Sequence, residues 1–139
     1  MTASIPLQIH KVLQRGVAIP ASPLALDSRR QLDERRQRGL WRYYGAAGAG
    51  GIAVGVHTTQ FAIRDPKIGL FRPLLAMAAD EMARLDRARP EPIIRIAGIC
   101  GRTEQAVSEA TAARDLEFHV GLLSLGAMRD ADDEALLAH

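Results

Sequence analysis

Four short apolar runs, each followed by a polar loop and then by apolar positions at helical spacing, organise this chain. In GGIAVGV, residues 50–56, Ile52, Ala53, Val54 and Val56 form a run bounded by glycines rather than an alternating pattern. A strand covered on both faces reads this way, as in a parallel sheet. Ahead of it, residues 16–22 (GVAIPAS) predict a first strand, with Pro20 suited to a strand end or bulge because it cannot donate to a ladder. Residues 93–97 (IIRIA) predict a third strand, and Phe118, Val120, Leu122 and Leu123 a fourth.

Between these runs the period changes. Over residues 32–47 the apolar positions Leu32, Leu40, Tyr44 and Ala47 recur at helical spacing, with Asp33 supplying negative charge near the start. Gly45, Gly48, Gly50 and Gly51 mark the end of that helix. Asp65-Pro66 reads as an N-cap followed by proline in the first turn, ahead of the stripe Phe71, Leu74, Leu75, Ala78, Met82 and Leu85. Thr103 is placed to cap a third helix that turns Ala106, Val107, Ala110 and Ala113 inward. Leu136 and Leu137 open a further helical pattern near His139, and residues 1–15 read as an N-terminal extension.

Strand–helix alternation with this period implies right-handed βαβ units and a parallel sheet, so the fold class is α/β. The glycines of residues 45–51 follow a helix and precede a strand, the reverse of a dinucleotide-binding fingerprint. A closed barrel of eight units needs about 250 residues. The expected architecture is therefore a partial (β/α)8 TIM barrel of about four βα units, occupying residues 1–139 as one unit.

Composition narrows the setting. With 47% hydrophobic and 24% charged residues among 139, the chain has the balance of an ordinary globular domain. No apolar run reaches the roughly 18 residues that span a bilayer, and no secretory pattern opens the sequence, so a cytoplasmic location and no membrane partner are expected. Cys100 is the single cysteine, which rules out an internal disulfide. His10, His119 and His139 are scattered, so no metal site is expected. Basic residues concentrate before Arg72 and acidic ones after it; Lys11 and Lys67 are the only lysines.

The chemistry falls where the second strand ends. His57, Thr58, Thr59 and Gln60 follow the apolar run with no spacer, at the end of a parallel strand where ligands gather in α/β folds. The stretch GGIAVGVHTTQFA resembles the G-[IV]-x-V-G-G-[TS]-T-G-E segment of the dihydrodipicolinate synthase and N-acetylneuraminate lyase family. Ser22-Pro23-Leu24 is similar to its T-P-F. Residues 92–99 (PIIRIAGI), with Thr103 and Ala106, are similar to its P-V-I-A-G-V-G-x-x-T-x-x-A. The similarity covers the N-terminal half of that family's barrel.

The resemblance implies a Schiff-base lyase or aldolase acting on pyruvate or a related 2-oxo acid, working without a bound cofactor and assembled as a homo-oligomer. It places the carboxylate-binding loop on His57, Thr58, Thr59 and Gln60, with His57 and Thr58 in catalytic roles. The lysine and the tyrosine that the family uses lie on later strands than this chain has. Where the fourth strand of the family often continues P-P-Y-Y, this chain has Leu125, Gly126, Ala127 and Met128. The chain alone is therefore expected to be inactive.

Two rival readings use the first helix. Arg29, Arg30, Arg35, Arg36, Arg38 and Arg42, close to Trp41, Tyr43 and Tyr44, could neutralise phosphates and stack bases in a nucleic-acid complex. The same surface could serve a noncatalytic interaction module. Half a barrel is also expected to leave two unpaired sheet edges and a bare inner face.

Overall fold

The computed structural model describes residues 5–59 and 61–139. Strands β1 (Gly51–Val54), β2 (Ile94–Ile99) and β3 (Val120–Leu123) form one parallel sheet in the order β1-β2-β3. Gly51 lies opposite Ile94, and Ile96 opposite Val120. Helix α3 (Phe71–Asp86) joins β1 to β2 and α4 (Thr103–Asp115) joins β2 to β3. Sequential parallel strands with one helix per crossover are the unit of a βα barrel, and the fold is a partial one.

The first predicted strand is present in register but broken. Gly50 donates to the Ala18 carbonyl at 3.0 Å, Ala53 to Pro20 at 3.0 Å, and Ser22 to Ala53 at 2.8 Å. Ala21 makes a parallel bridge with Ala53. The segment runs beside β1 as a fourth strand would, but Pro20 has no N–H to extend the ladder.

Side chains alternate along the strands into two cores. Ile52, Val54, Ala97 and Ile99 face a layer that includes Trp41 of α2 (Glu34–Ala46) and Leu74, Leu75, Ala78 and Met82 of α3. Full burial of an aliphatic side chain of this size stabilises by about 1.5–3 kcal/mol, so these α3 positions fix the helix on the sheet. Trp41 also donates from Nε1 to the buried Ser22 hydroxyl at 2.9 Å, which satisfies the one polar atom the indole carries inward.

The opposite face is not bare. Ala53, Val56, Ile94 and Ile96 are buried under Ile9 and Val12 of helix α1 (Leu7–Arg15). The stretch read only as an extension is a helix with one apolar edge. Its far end is tied by Arg15 to Glu91, two hydrogen bonds of 2.7 Å, beside the start of β2. Exposed apolar groups gather instead around the end of β3, at Leu122, Leu123 and Leu125.

Two helix starts differ from the sequence reading. Asp65 does not cap α3: its side chain accepts from the Lys67 amide at 2.8 Å and its carbonyl from Ile68 and Gly69. Gly69, at φ 59°, then ends that turn, and α3 begins at Phe71. Thr103 does not cap α4 either; its hydroxyl pairs with His139 Nδ1 at 2.8 Å. Ala106, Glu109 and Ala113 are the buried positions of α4, while Val107 is exposed.

Half-buried His119 gives this fold a pH dependence. The Arg95 amide donates to His119 Nδ1 at 3.1 Å, so that nitrogen must be unprotonated. Burial, and then the Arg95 guanidinium, push the imidazole pKa below its usual 6.5. A depressed folded pKa gives stability that is complete above the unfolded value and lost as the pH falls below it. Unfolding free energy is therefore expected to drop as the pH is lowered through 6.5. Substitution His119→Asn, which keeps an acceptor but no titrating ring, should flatten that part of a urea-unfolding pH profile.

Candidate functional site

The carboxyl ends of β1 and β2 meet closely. A Cβ on Gly98 would stand 2.2 Å from the Gly55 carbonyl oxygen, so only glycine lets the two backbones approach this far. Gly55 itself turns at φ 73°, and the chain passes directly into a 3-10 turn, His57–Thr59, followed by another, Phe61–Arg64.

A cleft of about 220 Å³ opens at this rim, and Gly55, His57, Phe61, Arg64, Gly98 and Ser124 contribute to its wall. That is below the roughly 300–1,000 Å³ of sites for drug-sized ligands and on the scale of an acid of a few carbons. His57, from the turn after β1, and Ser124, from the end of β3, thus face one space with Gly98 between them. His57 and Thr58 are exposed.

The two threonine hydroxyls are engaged elsewhere. Thr58 donates to the Ser22 carbonyl at 3.3 Å, and the hydroxyl of buried Thr59 donates to the same oxygen. This strap holds the turn against the end of the edge segment. Gln60 lies outside the described residues. Lys67 lines a different cleft, with Leu26, Arg30 and Leu70. Lys11, on α1, lines a depression with Arg15, Glu91 and Pro92 at the opposite end of the sheet.

The sequence reading missed the most heavily bonded group of the site. Arg64 and Glu109 pair at 3.0 Å, each side chain only 8% exposed. Arg64 Nη2 donates to the Gly55 carbonyl at 3.0 Å and to Gly98 at 2.9 Å, which ties the ends of β1 and β2 together. Its guanidinium lies over the Phe71 ring, 4.5 Å from the centroid. Glu109 also accepts from the Cys100 amide at 3.0 Å and from Gln105 at 2.8 Å. Only an arginine set in the apolar context FAIR hinted at this; its carboxylate partner stands 45 residues away.

Cys100 sits beside the pair, its Sγ 3.9 Å from Glu109 Oε1. Burial pushes the thiol pKa up, only partly offset by Arg64, which disfavours the thiolate a nucleophile needs. Among the described residues, no group of three or more His, Cys, Asp or Glu gathers to hold a metal ion.

The arginines of the first predicted helix are largely neutralised. Arg36 pairs with Asp33 at 2.6 Å and Arg42 with Glu81 at 2.6 Å. Arg38 bridges Asp80 and Glu81 at 2.7 and 3.0 Å. Three of the six arginines that the nucleic-acid reading names are thus engaged with carboxylates, while Arg30 and Arg35 have no ion pair among the described residues. No described helix is long and apolar enough to cross a membrane.

No protein-family model and no curated protein matches the chain. Among solved structures it is similar to a crystal structure described as that of a candidate dihydrodipicolinate synthetase from Pseudomonas aeruginosa, with a TM-score of 0.62 and 16% identity. The match covers 77% of this chain and 34% of that one. The chain thus shares its fold with about a third of a dihydrodipicolinate-synthetase-like protein, in agreement with a partial βα barrel.

Proposed function

We propose that the rim after β1 receives the carboxylate of a 2-oxo acid such as pyruvate, as part of a barrel with Schiff-base lyase or aldolase chemistry. The observation that carries this reading is the exposure of His57 and Thr58 on a turn directly behind a parallel strand, with His57 facing a small cleft. His57 supplies a ring nitrogen that can donate a hydrogen bond to an oxyanion. Thr58 and Thr59 hold the turn, and Gln60 extends the polar stretch. A likeness in fold to a candidate dihydrodipicolinate synthetase supports the substrate class.

The iminium-forming amine is not within this chain on this reading, since neither of its lysines, Lys11 and Lys67, lines the cleft of His57. The resemblance also implies association between copies.

Titrating pyruvate into the isotopically labelled chain tests the reading. Amide shifts are expected to centre on residues 55–59 and 98–100. Removing one hydrogen bond to a charged group costs about 1.5–3 kcal/mol, so His57→Ala should weaken binding about tenfold or more. Shifts confined to the α1 end of the sheet, or unchanged affinity in His57→Ala, would overturn it.

A further inference from the structure

We infer that Arg64 is an anion-binding residue of the cleft, its Nη1 reserved for a carboxylate oxygen of the ligand. The inference rests on the reading of this cleft as the site of a small organic acid, and adds to it the group that recognises the charge.

An arginine carries five N–H bonds in a fixed planar fork. In Arg64, Nε is used on Glu109, at 3.0 Å to both carboxylate oxygens. Nη2 is used on the two strand-end carbonyls. Nη1 is buried and has no hydrogen-bond partner among the described groups. Leaving a buried donor unpaired costs about 1–3 kcal/mol, and a strap between Glu109 and the strands needs only Nε and Nη2. The remaining nitrogen is a cost with no structural return.

Its placement gives that cost a use. The side chain is 92% buried, being 8% exposed, yet Arg64 forms part of the wall of the cleft that also contains His57, Gly98 and Ser124. Phe71 backs the guanidinium at 4.5 Å, while the ring of Phe61, half exposed, lies 5.8 Å from Cζ on the cleft wall. With Nη1 itself buried, an anion in the cleft reaches it only if a wall side chain moves, and half-exposed Phe61 is the one that stands against the guanidinium there. Held by three carbonyl or carboxylate partners, the guanidinium cannot swing away. Once Phe61 has moved, a carboxylate would meet a charge-assisted donor already fixed in orientation.

The test reads the guanidinium itself in the full chain. The Nη and Hη resonances of Arg64 are followed by nitrogen-15 NMR as pyruvate, acetate or inorganic phosphate is added. Pyruvate and acetate are expected to move an Arg64 Hη signal downfield and slow its exchange with water, and to do so at lower concentration than phosphate. In Arg64→Lys, which keeps the charge but loses the fork, pyruvate affinity should fall at least about tenfold. If that variant does not fold, the guanidinium signals of the parent chain decide.

A response to phosphate alone would overturn the carboxylate assignment. Pyruvate binding that shifts His57 and leaves the Arg64 Hη signals in place would overturn this inference while leaving the role of His57 standing. Binding that survives His57→Ala and still moves Arg64 would do the reverse. No binding of any probe by the parent chain would overturn both.

Discussion

Gly98→Ala is expected to destabilise the protein by about 3 kcal/mol or more, at or beyond the upper end of ordinary overpacking. The new Cβ would lie 2.2 Å from the Gly55 oxygen, 2.6 Å from the Gly55 carbonyl carbon and 2.9 Å from the Val56 nitrogen. All three are backbone atoms, so no rotamer change relieves the contact. The ends of β1 and β2 must separate, which also stretches the two bonds from Arg64 Nη2 that clamp them. Gly39→Ala serves as the control. Gly39 is in the interior of α2, exposed, and a Cβ there meets nothing within 4 Å. That change should stabilise by about 0.5–1 kcal/mol, the helix-propensity difference. Urea unfolding of the two variants beside the parent checks both; a Gly98→Ala protein as stable as the parent would show that the strand ends do not meet as described.

Glu109→Ala should cost about 3–5 kcal/mol, because it leaves the Arg64 charge buried without its counter-ion. The variant also strips the Cys100 amide and Gln105 of their acceptor. Removing both members of a buried pair is far less costly than removing one. Arg64→Met with Glu109→Met is therefore expected to be more stable than Glu109→Ala alone, although the Gly55 and Gly98 carbonyls then lose their donor. A double-mutant cycle by urea unfolding measures the coupling. The coupling should change little between low and high salt, since a pair this buried is poorly screened. A loss below about 1 kcal/mol in Glu109→Ala would place the pair among surface bridges and contradict the burial.

These two sites illustrate how unevenly the site was written into the sequence. The glycine-bounded run GGIAVGV announced a strand covered on both faces, and the polar stretch behind it announced a strand-end turn, because both depend on residues adjacent in the chain. Arg64 and Glu109 depend on the crossover that brings α4 beside the turn after β1. The apolar context of Arg64 is only a weak signal setting it apart from the arginines on α2, which pair instead with Asp33, Asp80 and the buried Glu81.

Periodicity misled where two signals compete. Asp65-Pro66 is a sound helix start taken alone, but Gly69 at positive φ breaks the turn, and α3 starts afresh at Phe71. Residues 7–15 show the converse case. Helix α1 is polar enough to pass for an extension, and only the sheet it covers makes sense of Ile9 and Val12.

By itself the sequence determined the βα order, the parallel sense of the sheet and the position of the polar turn at a strand end, since periods of 2 and 3.6 and the placement of glycine and proline act over a few residues. Tertiary structure alone decided that α1 covers the inner face, that Thr58 and Thr59 spend their hydroxyls on Ser22, and that Arg64 clamps two strands with one nitrogen to spare. Those outcomes depend on which distant groups are brought within hydrogen-bonding or van der Waals reach, and that information resides in the packing of elements rather than in the spacing of residues.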